Sequence, residues 1–439
     1  MRIELLYGET KQTLTLPDSI DTTVIRKPTM PRIADPEETL RQALANPMDA
    51  APLAELATKA NTACIAICDI TRPVPNHVFL RPVIETLLSH GIEAQNITVL
   101  VATGLHRPNL GAELEQLIGD PWVLDNVRVV NHDARNDEDH VSLGRTSKRG
   151  TTVRIDRRFA EADLRIATGL VEPHFMAGFS GGRKVIAPGL AHAQTITTFH
   201  NGRFMSDPLA DSCNLAGNPL HEEQLEIVRM IGGALAINTV IDEERSLSFI
   251  NFGEIVASHQ AAVDYVREYC EVPVTRRFST VVTCGAGAPL DRTYYQTIKG
   301  MVCAKDILEP GGDLIITSSC SEGMGSDEFV EAQRRLIELG PDQFLSSILP
   351  KPHAAIDEWQ TQMQTKPMKV GSIHLVTDGL KAADHALTGV RVNQSLQDTV
   401  DASLRRHPNG AAAVIPEGPY IVPCYTADRS STFPRKSLQ

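Results

Sequence analysis

No apolar run in this sequence approaches the roughly 18 residues needed to cross a bilayer, and the opening MRIELLYGET lacks the apolar core of a signal peptide. Basic charge is also short. Against 54 Asp and Glu stand 42 Lys and Arg, a net charge of −12, and nothing resembles the positive stripe that neutralises nucleic-acid phosphates. Neither a membrane nor nucleic acid is therefore expected as a partner, and the expected location is the cytoplasm. An anionic small molecule would have to be held by a few placed cations rather than by an overall field. Eight cysteines in 439 residues make no disulfide scaffold, and no CxxC pair is present to build a zinc site. Cys64 and Cys68, four apart in TACIAICD and so on one face of a strand, read as buried structural thiols rather than ligands. Two nucleotide signatures are missing as well: there is no Gly-Lys-[Ser/Thr] and no GxGxxG, and HEEQL (221–225) lacks the second histidine of HExxH.

What is present is a globular composition, 42% hydrophobic and 22% charged, in a chain too long for one ordinary core. Apolar runs near 62–68, 97–103, 163–169 and 234–241 read as buried strands, and HVFLRPVIETLLSH (77–90) as an amphipathic helix whose proline places its true start near residue 80. After a linker candidate, CEVPVTRRF, a second alternation follows: strands 278–284, 312–318, 372–377 and 411–416, with helices near 301–308, 327–338 and 394–404. The fold class expected is α/β, with two domains of mainly parallel sheets flanked by helices and an active site in the cleft between them. The boundaries read as 1–272, 273–425 and a polar tail, 426–439. In such sheets ligands bind beyond the carboxyl ends of the strands, so chemically interesting residues should follow the apolar runs.

Several do. DITRPVPNH places Asp69 and Arg72 after the first strand; an arginine there can grip a carboxylate through two parallel hydrogen bonds, or simply close the loop with the aspartate. ATGLHRP presents His106 after the next strand, where an imidazole can serve as a general base or merely be solvated. The long block GLVEPHFMAGFSGGRKVIAPGLAHAQTITTFHN (169–201) sets His174, Lys184 and His200 among Gly169, Gly178, Gly181 and Gly182. Glycines there permit close backbone approach to an anion, and the bland alternative is a turn with incidental polar residues. In the second half, LDRTYYQTIKGM offers Tyr295, Gln296 and Lys299, the last two on one helical face, and AAIDEWQTQ offers Trp359, either as core or as pocket lining.

Taken in order, DxTRPVP, ATGxHRP and HFxAGFSGGRKxxxPG with its downstream histidine resemble the nickel-pincer lactate racemase family of 2-hydroxy-acid racemases and epimerases, over nearly the whole chain to PEGPYIVP. The resemblance implies a nickel-dependent isomerase using a pyridinium-3-thioamide-5-thiocarboxylic acid mononucleotide, the nickel-pincer nucleotide. It makes Lys184 the covalent anchor, with Asp69, Gly181 and Gly182 grouped as cofactor-binding, and His200 the nickel ligand, for which imidazole is suited. His106 and His174 become paired acid–base catalysts, and Arg72, Lys299, Gln296, Tyr295 and Trp359 the substrate contacts. The implied reaction is racemisation at C2 of a lactate-like hydroxy acid by reversible hydride transfer to the tethered nucleotide, because the carbinol hydrogen is barely acidic. One base per enantiomer would then be required, since the hydroxyl points in opposite directions in the two. Implied partners are the hydroxy acid and the proteins that build and load the cofactor. Alternatives are C2 epimerisation of a longer sugar acid by the same machinery, a metal hydrolase using His174 and His200, and a non-catalytic family member.

Overall fold

In a computed structural model describing residues 1–426, the chain forms two compact units. One comprises Thr29–His200 and Asp207–Glu268; the other comprises Met1–Pro28, Asn201–Ser206 and the chain from Tyr269 onward. Among the described residues no helix is long and apolar enough to cross a membrane.

Strands β1 (Arg2–Tyr7), β2 (Thr10–Thr15) and β3 (Thr22–Val24) open the chain. The unit that follows them is built on β4 (Ala63–Cys68), β5 (Ile97–Ala102) and β6 (Arg128–Asn131), with β7 (His140–Arg145) and β8 (Thr152–Asp156) as a separate antiparallel pair. Then come β9 (Leu164–Leu170), a short hairpin of β10 (Pro173–His174) and β11 (Gly178–Phe179), and the pair β12 (Leu235–Ile241) and β13 (Leu247–Glu254). The main sheet has the order β13-β12-β9-β4-β5-β6 and is parallel except for the β12–β13 pair. Residues 63–67 of β4 are all buried, as expected where helices cover both faces of a parallel strand. Ile65 and Ile67 share a core with Phe79, Leu80, Val83 and Leu87 of the helix Asn76–Ser89. From β4 the chain steps out to β5 and β6, then returns to the other side of β4 as β9. That reversal opens the crevice in which open α/β sheets bind ligands. Asp69 follows β4 directly, and the 171–200 block follows β9.

The other unit carries a parallel sheet of order β18-β17-β16-β15-β19-β3. Its later strands are β15 (Phe278–Cys284), β16 (Leu308–Thr317), β17 (Ser372–Val376), β18 (Arg391–Asn393) and β19 (Ala412–Val414); β14 (Glu271–Val274) and β20 (Val422–Tyr425) pair apart from it.

The expected α/β class with parallel-dominated sheets is what forms, and three details differ from the sequence reading. Residues 1–28 join the C-terminal residues rather than the N-terminal domain, because β3 pairs with β19 and Ile3, Leu5 and Leu14 pack with Val282, Ile315 and Val414. The candidate linker contains strand β14, since its Val-Pro-Val stretch finds a partner in β20. The helix expected to start near residue 80 begins at Asn76 and keeps Pro82 in its interior, with Phe79, Leu80, Val83 and Ile84 all fully buried. Packing of that face outweighs one missing N–H. Of the tail, residues 427–439 lie outside the described residues.

Phe79→Ala should destabilise this core by about 3–5 kcal/mol, read from denaturant unfolding, whereas Leu110→Ala, at a position 65% exposed, should stay within about 0.5 kcal/mol. Equal effects would contradict the assigned packing.

Candidate active site

The turn after β4 buries Asp69, which is 5% exposed. Its Oδ1 accepts from Thr71 N at 3.2 Å and Thr71 Oγ1 at 2.5 Å, and its Oδ2 accepts from His106 Nδ1 at 2.6 Å. Burial pushes the Asp69 carboxyl up, but the His106 bond and charge, Thr71 and Arg72 together hold it below the usual carboxylate range. The carboxylate thus fixes the His106 proton on Nδ1 and leaves the lone pair on Nε2. His106 reaches this position because its N–H bonds Thr103 O at 2.9 Å and Gly104 N bonds Gly189 O at 2.9 Å, closing the turn beyond β5. Its side chain is 57% exposed.

Arg72 lies close enough for its charge to lower the Asp69 carboxyl, and it pairs with a carboxylate further along the chain. Its Nη1 lies 2.6 Å from Glu172 Oε1, both side chains being 20% exposed. Glu172 was not singled out from the sequence, although it stands inside the distinctive block; nothing local indicates a partner so far along the chain.

The block itself packs without room for side chains. A Cβ on Gly169 would meet Val185 Cγ2 at 2.9 Å, one on Gly181 would meet Val171 Cγ2 at 2.7 Å, and one on Gly182 the His259 ring at 2.8 Å. Gly181 and Gly182 also adopt φ +73° and +47°, where glycine is favoured. Lys184 follows on the short helix Arg183–Ile186, partly exposed, its amine pushed down to about 7 by burial first and then by the charges of Arg72 and Arg183. The Arg183 guanidinium is 1% exposed. It donates to His221 Nδ1 and Ala177 O, each at 2.9 Å, and its Nη1 lies 2.8 Å from His259 Nε2, which is also 2.8 Å from Ser180 O. Arg183, His221 and His259 were not singled out from the sequence, although GGRK contains the first and the failed HExxH match the second; nothing local marks His259.

His174, 7% exposed, pairs with Gly178 across the β10–β11 hairpin, and its Nδ1 accepts from Ala177 N at 3.2 Å and Met176 N at 3.4 Å. His200 ends the helix Ala193–Phe199 and is 6% exposed. Its Nδ1 lies 2.9 Å from Ile196 O, to which only an N–H can bond, so Nε2 carries the lone pair. Burial, reinforced by the Lys184 charge, holds the ring down to about 3 despite the Ile196 bond, and it is neutral at physiological pH.

In the other unit, Tyr295, Gln296 and Lys299 lie partly exposed on the helix Tyr294–Ala304, capped by Thr293. Trp359, on the helix Glu358–Met368, donates its Nε1–H to Tyr295 Oη at 3.3 Å, and Gln296 Oε1 is buried without a hydrogen-bond partner. The structure therefore joins Asp69 to His106, Arg72 to Glu172 and Tyr295 to Trp359. All eight cysteines are free; Cys68 is pushed up to about 11 by burial, in keeping with structural thiols.

The depressed Lys184 amine has a measurable consequence. Below its folded value both folded and unfolded lysines are charged and the folded state bears the whole cost of burial. That cost fades as pH rises from about 7 toward the ordinary lysine value. Lys184→Met should accordingly be more stable than the native chain at about pH 6, with the margin shrinking toward about pH 10 in parallel thermal melts. A margin indifferent to pH would remove the assignment.

Comparison with known proteins agrees with this layout. A family model for the lactate racemase N-terminal domain matches residues 7–212, and one for the lactate racemase C-terminal domain matches 275–422. The chain is 31% identical over 385 residues to a lactate racemase of Lactiplantibacillus plantarum, covering 87% of this chain and 89% of that protein. It is 31% identical over 380 residues to the lactate racemase of Thermoanaerobacterium thermosaccharolyticum, covering 86% and 88%. The solved lactate racemase apoprotein from the latter organism superposes with a TM-score of 0.89 at 29% identity, covering 96% of this chain and 99% of that one. A Thermotoga maritima protein at 16% identity, TM-score 0.63, covering 85% and 98%, shares the fold. With both domain models in sequence order and close relatives over most of its length, the chain belongs to the lactate racemase family and is an isomerase.

Proposed function

We propose that this chain racemises a lactate-like 2-hydroxy acid at C2, with lactate the first candidate, in the cytoplasm and after loading by cofactor-building proteins. The observation that carries the reading is the Asp69–His106 pair, a buried carboxylate holding an exposed imidazole with its Nε2 lone pair available beyond the carboxyl ends of β4 and β5.

The family is nickel-dependent, and the residues present fit the nickel-pincer nucleotide. Lys184 has an amine of which a substantial fraction is uncharged near neutrality, the state required to form an amide-type bond. Gly181 and Gly182 leave bare backbone where any Cβ would collide, and Arg183 adds a buried positive charge beside them, both suited to an anionic nucleotide. His200 is a neutral imidazole with Nε2 able to ligate nickel, its Nδ1–H oriented by Ile196 O. When bound, the group would supply the electron-poor acceptor that the carbinol hydrogen needs.

The chain's own residues handle the rest. His106 Nε2 takes the hydroxyl proton of one enantiomer, Asp69 stabilises the resulting imidazolium, and His174 is the partner on the other hand of the centre. Arg72, paired with Glu172, contacts the substrate carboxylate. Roles for Lys299, Tyr295, Gln296 and Trp359 in substrate contact belong to the same proposal.

Incubation of loaded protein with single-enantiomer hydroxy acids, followed by chiral chromatography, tests the reaction; retention of configuration across the panel would refute it. Lys184→Ala should show no covalent adduct by intact mass, and full loading would displace the anchor. His106→Ala should load normally but lose about 10²–10⁴-fold in turnover. Near-native turnover would take His106 out of the chemistry.

A further inference from the structure

The two histidines are held in opposite tautomers. His106 donates its Nδ1–H to Asp69 and keeps its lone pair on Nε2. His174 does the reverse: two backbone N–H groups, from Met176 and Ala177, point at its Nδ1, so in the neutral ring the lone pair is on Nδ1 and the proton on Nε2. Such a ring cannot exchange protons freely. Giving up the Nε2 proton would leave an imidazolate, and taking a second proton at Nδ1 would set N–H against two N–H groups.

The orientation of those N–H groups is itself fixed. In a trans peptide the C=O and N–H point in opposite directions. Met176 O accepts from Asn218 Nδ2 at 3.0 Å, so the N–H of the same peptide, that of Ala177, is aimed toward His174. The next carbonyl, Ala177 O, is held by Arg183 Nη2 at 2.9 Å. Asn218 is fully buried and cannot turn: its Oδ1 caps the helix Pro219–Met230 through Leu220 N and His221 N, and its Nδ2 also reaches Asn214 O at 3.0 Å.

We propose that Asn218, acting through the 176–177 peptide, locks His174 as an Nε2–H donor, so that the resting enzyme accepts a hydroxyl proton only at His106. His174 then enters proton exchange only after the 174–177 turn releases Nδ1. The first transfer balances as one proton from the substrate hydroxyl to His106 Nε2, with the imidazolium charge facing Asp69. Until the turn opens, His174 can hydrogen-bond a substrate oxygen but not protonate it. Asn218 is a positioning residue in this scheme. The catalytic part rests on the racemase reading; the tautomers do not.

The test uses the full cofactor-free chain with ¹⁵N-labelled histidine and long-range ¹H–¹⁵N correlation at neutral pH, in which a bare ring nitrogen resonates far downfield of a protonated one. His174 signals are assigned by their loss in His174→Gln, or in His174→Phe if the first variant does not fold. We expect a neutral His174 with Nδ1 bare. A protonated Nδ1, a doubly protonated ring or an averaged pair of signals would overturn the proposal. Asn218→Asp keeps the capping oxygen and removes both Nδ2 bonds, and Asn218→Ser serves if the charge prevents folding. In either variant His174 should move toward averaged signals; unchanged signals would remove Asn218 from the scheme. A loaded native chain inactive on the hydroxy-acid panel would end the racemase reading while leaving the tautomer result standing, so the two failures are distinguishable.

Discussion

At the centre of the glycine-rich block a guanidinium is buried beside two imidazoles. Among the described residues Arg183 hydrogen-bonds no carboxylate, and burial alone lowers it to about 9, which still leaves it charged at neutral pH. An ion in that position costs several kcal/mol unless other groups replace its water. Here the replacement comes from backbone carbonyls and from two imidazoles. Burial and the arginine together push His221 down to about 3 and His259 well below its ordinary value, so both rings stay neutral beside the guanidinium. One charge is tolerated and every neighbouring base surrenders its own. Lys184 is subject to the same constraint, and the turn bearing His174 is tied to it through Ala177 O. Gly182 must be glycine because the His259 ring that solvates the arginine lies against it.

The neighbouring cation is managed differently. Arg72 has Glu172 at 2.6 Å and remains partly exposed, so its charge is balanced before any substrate arrives. A carboxylate that joins it shares the guanidinium fork rather than meeting a bare ion. The two arginines are thus stabilised in different ways: one is wetted and paired, the other dry and surrounded by neutral rings and backbone carbonyls.

Most strands of the two six-stranded sheets were legible in the sequence because parallel strands covered on both faces read as unbroken apolar runs, as in Ala63–Cys68 and Leu164–Leu170. The placement of β3 was not, since its partner Ala412–Val414 lies at the other end of the chain and pairing leaves no local mark. Pro82 misled for the opposite reason: a sound local rule was overridden by the packing of four buried apolar neighbours. In the site, Asp69, His106, Lys184 and His200 stood out as chemistry-bearing residues on a glycine-rich frame. Their partners did not. Glu172, His221, His259 and Asn218 act through bonds made across the fold, and a tautomer is decided by which way one peptide faces, which no residue type records.

The pairing of β3 with β19 also sets an order of events during synthesis. Strand β3 cannot take its final place until residues 412–414 have been made, whereas the sheet built from residues 63–254 needs nothing from β3 or β19. Through that interval the β1–β2 hairpin satisfies much of its own backbone, and β3 is only three residues long, too short to template pairing with another chain. The early segment can wait with its backbone largely paired, while Ile3, Leu5 and Leu14 remain uncovered until Val282, Ile315 and Val414 follow.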